Sequence, residues 1–129
     1  MARGSFKRDK ADELFSLWVR TRDNWTCQKC KRNYHSRKEA NGALDASHFV
    51  GRGKENTRFE PLNVDTLCFG CHQHFTSNPR EHYEWQVQRK GQDVVDKLRL
   101  AGHTYKKKDR TLERLYWRRR LKEDYGITA

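Results

Sequence analysis

The chain has 129 residues, so a single domain is the expectation. Only 34% of it is hydrophobic and 35% is charged, a lean composition for a core, so a bound metal would help it fold. Lys and Arg number 28 against 17 acids, a net charge of +11, which favours a polyanionic partner, most often nucleic acid. The apolar-rich run 14–19 is far too short to span a bilayer, and the opening MARGSFKRDK lacks the apolar stretch of a secretion signal. These features predict a cytoplasmic protein with no membrane partner.

Residues 1–8 read as a loose basic arm. The segment 9–22 reads as a helix, because Leu14 and Trp18, like Phe15 and Val19, are four apart and form one apolar stripe. Asp23 and Asn24 end it with turn chemistry. The polar stretch 31–42 has no period and reads as loop. A short strand is expected over 43–50, a turn at Gly51-Arg52-Gly53, and a polar loop over 54–58. A second strand is expected over 61–67, with Leu62 and Val64 on one face, and a helix close after Cys71. Pro79 opens the next helix at its first turn, with Tyr83 and Val87 on one face, and Gly91 ends it. Val94, Val95 and Leu98 point a helix over 92–101 inward, and Gly102 stops it. After the lysine run 106–108, Asp109 caps a last helix reaching 124, with Leu112, Leu115, Tyr116 and Leu121 as its apolar positions. Trp25, Trp85 and Trp117 read as core or interface residues. The order of elements predicts an α+β fold.

The four cysteines form two CxxC pairs, Cys27/Cys30 and Cys68/Cys71. Each CxxC turn presents two thiolates from one tight loop, and zinc takes four such ligands in a tetrahedron. In a chain without an export signal the pairs therefore read as a structural Zn2+ site, closed and without chemistry of its own. Metal-free or redox-active cysteines are the rival reading, and His72 or His74 replacing one thiolate is a variant of the first. Of the six histidines, His35, His82 and His103 read as ordinary surface side chains. His48, His72 and His74 lie on or next to the cysteine-pinned stretch.

The order His48, Asn63, then CxxC followed by His72 resembles the HNH endonuclease family, whose fold is the ββα-metal core. The paired CxxC motifs match its zinc-stapled branch. The fragments RTRDNWTCQKC, DASHF, TRFEPLNV, LCFGCHQHFTSNPREHYEW and HTYKKKDRTLERLYWRRRL are similar, more closely, to the lambdoid phage NinG (Rap) recombination nucleases. The resemblance implies one nuclease domain over 1–129: a basic arm 1–8, a zinc-stapled core 9–79 and a basic helical extension 80–129. It also implies the host-cell cytoplasm as the compartment if the chain is phage-encoded. Many HNH enzymes carry Asp or His directly before the first His. Here Ser47 stands there, and the nearest acid is Asp45, three residues before His48, as in the NinG type. On an ideal strand Asp45 and His48 point to opposite faces, so a bulge or strand end would have to bring them together.

Phosphodiester hydrolysis needs a base for water, neutralisation of charge on the phosphate, and help for the leaving oxygen. His48 is the expected general base, since imidazole titrates near neutral pH. His72, with Asp45 sharing, is expected to hold a catalytic Mg2+ or Mn2+ distinct from the zinc. Asn63 would hydrogen-bond across the loop and fix His48, while His74 is an auxiliary ligand candidate. Arg52, Lys54 and Arg58, Arg58 first, are expected to contact phosphates, and so are Lys106, Lys107, Lys108, Arg118, Arg119 and Arg120. The tail 103–129 holds 9 Lys and Arg and 4 acids, a net of +5 (9 − 4). The expected activity is metal-dependent DNA endonucleolytic hydrolysis. Its substrate is either duplex DNA, nicked with little specificity, or branched DNA such as a Holliday junction, where a homodimer would cut two strands symmetrically. The competing class is a non-catalytic zinc-stapled nucleic-acid-binding module. The motif does not exclude RNA.

Overall fold

The computed structural model describes residues 7–129, so most of the expected arm 1–8 lies outside the described residues. The fold is mixed α+β: among the described residues, a two-stranded antiparallel sheet lies among six α-helices. Helix α1, Lys10–Arg22, starts with a reciprocal cap. The Asp9 carboxylate accepts the Asp12 N–H at 3.0 Å, and the Asp12 carboxylate accepts the Asp9 N–H at 2.9 Å. The segment read as featureless loop contains one short helix, α2, Arg37–Ala40. Ser36 accepts the Glu39 N–H at its start, and Asn41 closes it at φ 41°. That is a Ser-x-x-Glu signature at the level of sequence.

Strand β1, Leu44–His48, pairs with β2, Val64–Cys68, in unbroken register. Leu44 lies opposite Cys68, and His48 opposite Val64. The second strand starts later than expected. Pro61–Asn63 forms a single tight helical turn, because Pro61 presets its first position and the Glu60 carboxylate accepts the Leu62 N–H at 3.0 Å. Leu62 is consequently 52% exposed and does not share a buried face with Val64. Helix α3, Phe69–Ser77, leaves β2 directly and includes Cys71. Pro79 occupies the first turn of α4, Pro79–Lys90. Gly91, at φ 92°, turns the chain into α5, Gln92–Gly102, whose Val95 and Leu98 are buried. Asp109 caps α6, Arg110–Tyr125, by accepting the Thr111 and Leu112 N–H groups.

The core is a seam between α1 and α6. Trp117 is buried, its ring 4.7 Å from Phe15 and 5.1 Å from Trp18. Trp18 Nε1 donates to Asp124 at 2.8 Å. Of the apolar positions expected on α6, Leu121 is buried, while Leu112, Leu115 and Tyr116 are 62%, 57% and 47% exposed. Both stripes have helical spacing. The tryptophan brings more apolar area to the seam, and the buried face is the one that carries it. On the other side of the sheet, buried Asp65 accepts from Gln86 at 2.8 Å, Arg89 at 2.9 Å and Lys90 at 2.9 Å, which seats α4. Among the described residues, no helix is long and apolar enough to cross a membrane.

Arg58, expected to lead phosphate contact, is 5% exposed. Its Nε donates to Asp12 at 2.9 Å and its Nη1 to Glu55 at 3.2 Å. Arg110 binds the same Glu55 at 2.9 Å and Asp9 at 2.7 Å. The five charges tie the starts of α1 and α6 to the loop between the strands. Arg58 is therefore a fold-holding residue, and an approaching phosphate would have to displace two carboxylates. Arg58→Ala should lower stability by about 3–5 kcal/mol, because it leaves Asp12 buried without its partner. Urea unfolding measures this, and a loss under about 1 kcal/mol would refute the assignment.

Candidate functional site

The first CxxC lies in the turn after α1, and the second where β2 becomes α3. Cys27 N–H donates to Arg32 O at 2.9 Å and Lys31 N–H to Cys27 O at 2.8 Å, while Lys31 takes φ 69° to close the turn. Gln28 N–H donates to Thr66 O at 2.9 Å, which joins this turn to β2. The four Sγ atoms lie within 4.8 Å of one another, and no disulfide joins them. A zinc–sulfur bond of about 2.3 Å sets tetrahedral S···S edges of about 3.8 Å. The Cys30–Cys68 separation of 3.9 Å already meets that value. Cys27, Cys30, Cys68 and Cys71 are thus placed to hold a metal ion, and four thiolates suit structural zinc.

A second centre lies in a cavity of about 370 Å³ between α1, β1 and α3. Asp45, His48, Arg52 and His72 all line it, with Arg8, Asp12 and Arg20 around them. His48 Nε2 is 2.8 Å from the Arg58 carbonyl oxygen. A carbonyl can only accept, so Nε2 carries the proton and Nδ1 keeps a free lone pair. Burial pushes the His48 pKa down to about 4; the Arg58 carbonyl and Asp12 act against this, and the Arg52 and Arg58 charges act with it. His48 is therefore neutral at physiological pH.

Asp45 Oδ2 lies 3.1 Å from His72 Nδ1. No bulge interrupts the strand between Asp45 and His48. His72 reaches the carboxylate from the first turns of α3. Asn63, fully buried, accepts the Val50 N–H at 2.7 Å and donates to Val50 O at 2.9 Å and Thr57 O at 3.1 Å. Its backbone carbonyl accepts the Phe49 N–H at 2.9 Å. Asn63 thus clasps the chain directly after His48 and does not touch the imidazole.

Other predicted residues lie elsewhere. His74 does not line this cavity and pairs with Glu81 at 2.8 Å. Lys54 lines a separate cavity. Lys106 and Lys107 are exposed, whereas Lys108 is half-buried, its N–H donating to Glu55 at 3.1 Å. Arg118 donates to the Ala129 carbonyl at 3.0 Å. Arg119 is open to solvent beside Glu123. Arg120 is held by Asp124 at 2.8 Å, with its guanidinium 5.0 Å from the Trp18 ring. It belongs to the α1–α6 seam, so the arginine triplet is not one phosphate-facing unit.

His82, read as an ordinary surface residue, stacks on Phe75 with centroids 4.6 Å apart and rings within 5° of parallel. Burial lowers its pKa to about 4. Gln86, four residues on and buried on the same face, lies 3.0 Å from the His82 ring nitrogen, and a polar glutamine carries no sequence mark of that burial. His48 and His82 both stay neutral in the folded chain down to about pH 4. Unfolded histidines take up protons near pH 6.5. Between those values the unfolded state binds more protons, so stability should fall as pH drops from about 6.5 to 4. A His48→Gln, His82→Gln double variant should flatten this dependence in urea titrations at pH 7 and pH 5, and an equal slope in both proteins would contradict it.

Comparison of the chain with known protein families, curated proteins and solved structures gives no match.

Proposed function

We propose that the chain is a metal-dependent DNA endonuclease of the HNH type, built on a ββα-metal core. The observation that carries this reading is the cavity that gathers His48, Asp45, His72 and Arg52 beside a four-thiolate cluster. The strand–strand–helix order β1, β2, α3 and the residue order His48, Asn63, His72 agree with it.

In this reading the scissile phosphate enters the cavity, drawn by Arg8, Arg20 and Arg52. His48 takes a proton from water at Nδ1, the atom its backbone bond leaves free. Arg52 balances negative charge on the phosphate, and a phosphate close to His48 also offsets the cations that depress its pKa. Asn63 fixes the chain after His48 and so holds the base in place. Asp45 orients His72 through Nδ1, which leaves Nε2 as a ligand atom. The His72 imidazole, with phosphate oxygens and water completing the set, would suit Mn2+ or Mg2+, and Asp45 would act on that cation through His72. A cation held there would stabilise the charge developing on the phosphate and on the departing 3′ oxygen.

Branched DNA, cut symmetrically by a homodimer, is the substrate we favour over plain duplex, on the resemblance to the NinG nucleases. The exposed stripe Leu112, Leu115 and Tyr116 is the face a second copy would use. The test is cleavage of a labelled four-way junction beside matched duplex, in Mg2+ or Mn2+. Paired symmetric cuts in the junction alone support the resolvase form. Equal cutting of both leaves a general nicking enzyme. Binding without cutting, across both metals, would make the chain a nucleic-acid-binding module.

A further inference from the structure

We infer that a second cavity, on the far side of the residue after His48, is a subsite for one unpaired nucleotide of the DNA strand being cut. The proposal rests on the nuclease reading for its partner. The cavity, about 640 Å³, lies between the loop after β1 and helices α4 and α5. Its lining includes Phe49, Lys54, Arg80, Tyr83, Arg99 and His103, and no carboxylate. His48 and Phe49 are consecutive, so one strand of chain separates this cavity from the candidate catalytic one.

Two features point to a nucleotide. The first is a stacking platform. The Arg99 guanidinium lies over the Tyr83 ring at 5.0 Å, and the Phe49 ring is 6.5 Å from the same tyrosine. Guanidinium planes and aromatic rings are the surfaces on which proteins stack unpaired bases. The second is charge. Lys54, Arg80 and Arg99 bring three permanent cations to a wall without acids. Among the described residues the carboxylate paired with them is Glu84, 3.3 Å from an Arg80 side chain that is 90% exposed, and a phosphate displaces such a pair at little cost. A paired base has both faces covered within the duplex, so it cannot use the platform.

The close fit of α5 to the loop builds the cavity. A Cβ at Gly102 would lie 2.7 Å from Val50 Cγ1, so the bare glycine lets the end of α5, with Arg99 and His103, approach Phe49 and Val50. Asn63 holds the same Val50 through two hydrogen bonds. One asparagine therefore sets the loop that both cavities share.

The test is binding by the full chain carrying His48→Ala, which removes cutting as a complication. Fluorescence anisotropy compares a labelled duplex bearing one extrahelical thymidine with the same duplex fully paired. The expected result is about tenfold tighter binding to the extrahelical thymidine, the ratio that roughly 1.4 kcal/mol of stacking gives. Tyr83→Leu should bring the ratio close to one and leave affinity for paired duplex within about twofold, while Arg99→Gln, which also removes a cation, should lower affinity for the extrahelical thymidine more than for paired duplex. Arg80→Gln should weaken the preference less, and unchanged thermal melting confirms that each variant folds. A preference that survives Tyr83→Leu and Arg99→Gln, an equal loss on both DNAs, or no preference at the start overturns the subsite. Cleavage without preference sinks the subsite alone, and preference without cleavage by the wild type sinks the enzyme reading alone. Failure to bind either DNA ends both.

Discussion

Purified protein should carry about one zinc per chain, and Cys27→Ser or Cys68→Ser should lose both the metal and the fold. The four Sγ atoms join the turn after α1 to the junction of β2 and α3, beside a few hydrogen bonds such as Gln28 N–H to Thr66 O. Among the described residues the sheet has two strands of five residues each, and such a pair is marginal without support. Structural zinc in small domains contributes an apparent 10–16 kcal/mol or so near neutral pH, against a total stability of about 5–15 kcal/mol for a typical domain. Losing one thiolate from such a site therefore removes most of the margin. Metal analysis gives the stoichiometry, and far-UV circular dichroism with and without a strong chelator gives the fold. A chelated, zinc-free chain that keeps its spectrum and melting temperature would refute a structural role.

The second large effect is expected at His48. On the proposed nuclease reading, His48→Ala should slow DNA cleavage by roughly 10²- to 10⁴-fold, the range that a positioned general base supplies. DNA binding should stay within about twofold, because Arg8, Arg20 and Arg52, not the imidazole, supply the positive charge of the cavity. Asp45→Asn should behave differently. It alters the group that orients His72, so its loss of rate should be partly recovered at higher Mg2+ or Mn2+, whereas that of His48→Ala should not. A His48→Ala protein that cuts at more than a tenth of the wild-type rate would remove His48 from the chemistry.

The features that could be read in advance were those whose signal is local. The proline opening α4, the glycine that ends it, the Asp109 cap of α6 and the paired CxxC turns each act over a few residues, and all are present. Arg58 could not be placed in this way. Its partner Asp12 is 46 residues distant, and a loop arginine looks the same in sequence whether it faces phosphate or a buried carboxylate. Helix α6 failed for a different reason. The expected positions Leu112, Leu115, Tyr116 and Leu121 follow helical spacing, but packing against Trp18, on another helix, buries the Trp117 face with Leu121 instead. The start of β2 was misplaced because Leu62 and Val64 alternate like strand residues, while Pro61 and the Glu60 carboxylate favour a tight turn. For the site, sequence order brought His48, Asn63 and His72 to notice. It could not say that Asn63 grips Val50, or that an unbroken strand leaves Asp45 within reach of His72.

The α1–α6 seam has a kinetic meaning. Phe15 both packs on Trp117 and lines the cavity that holds His48. Bringing those two rings together closes a loop of about a hundred residues, an entropic cost that short-range contacts do not carry. Distant pairings of this kind form slowly, and they reward the chain only once both partners are in place. Helices α3 to α5 can form from nearby contacts, but the wall beside His48 has to wait for α6. A chain in which α6 has not yet docked would hold the candidate catalytic side chains and lack the aromatic ring that backs Phe15.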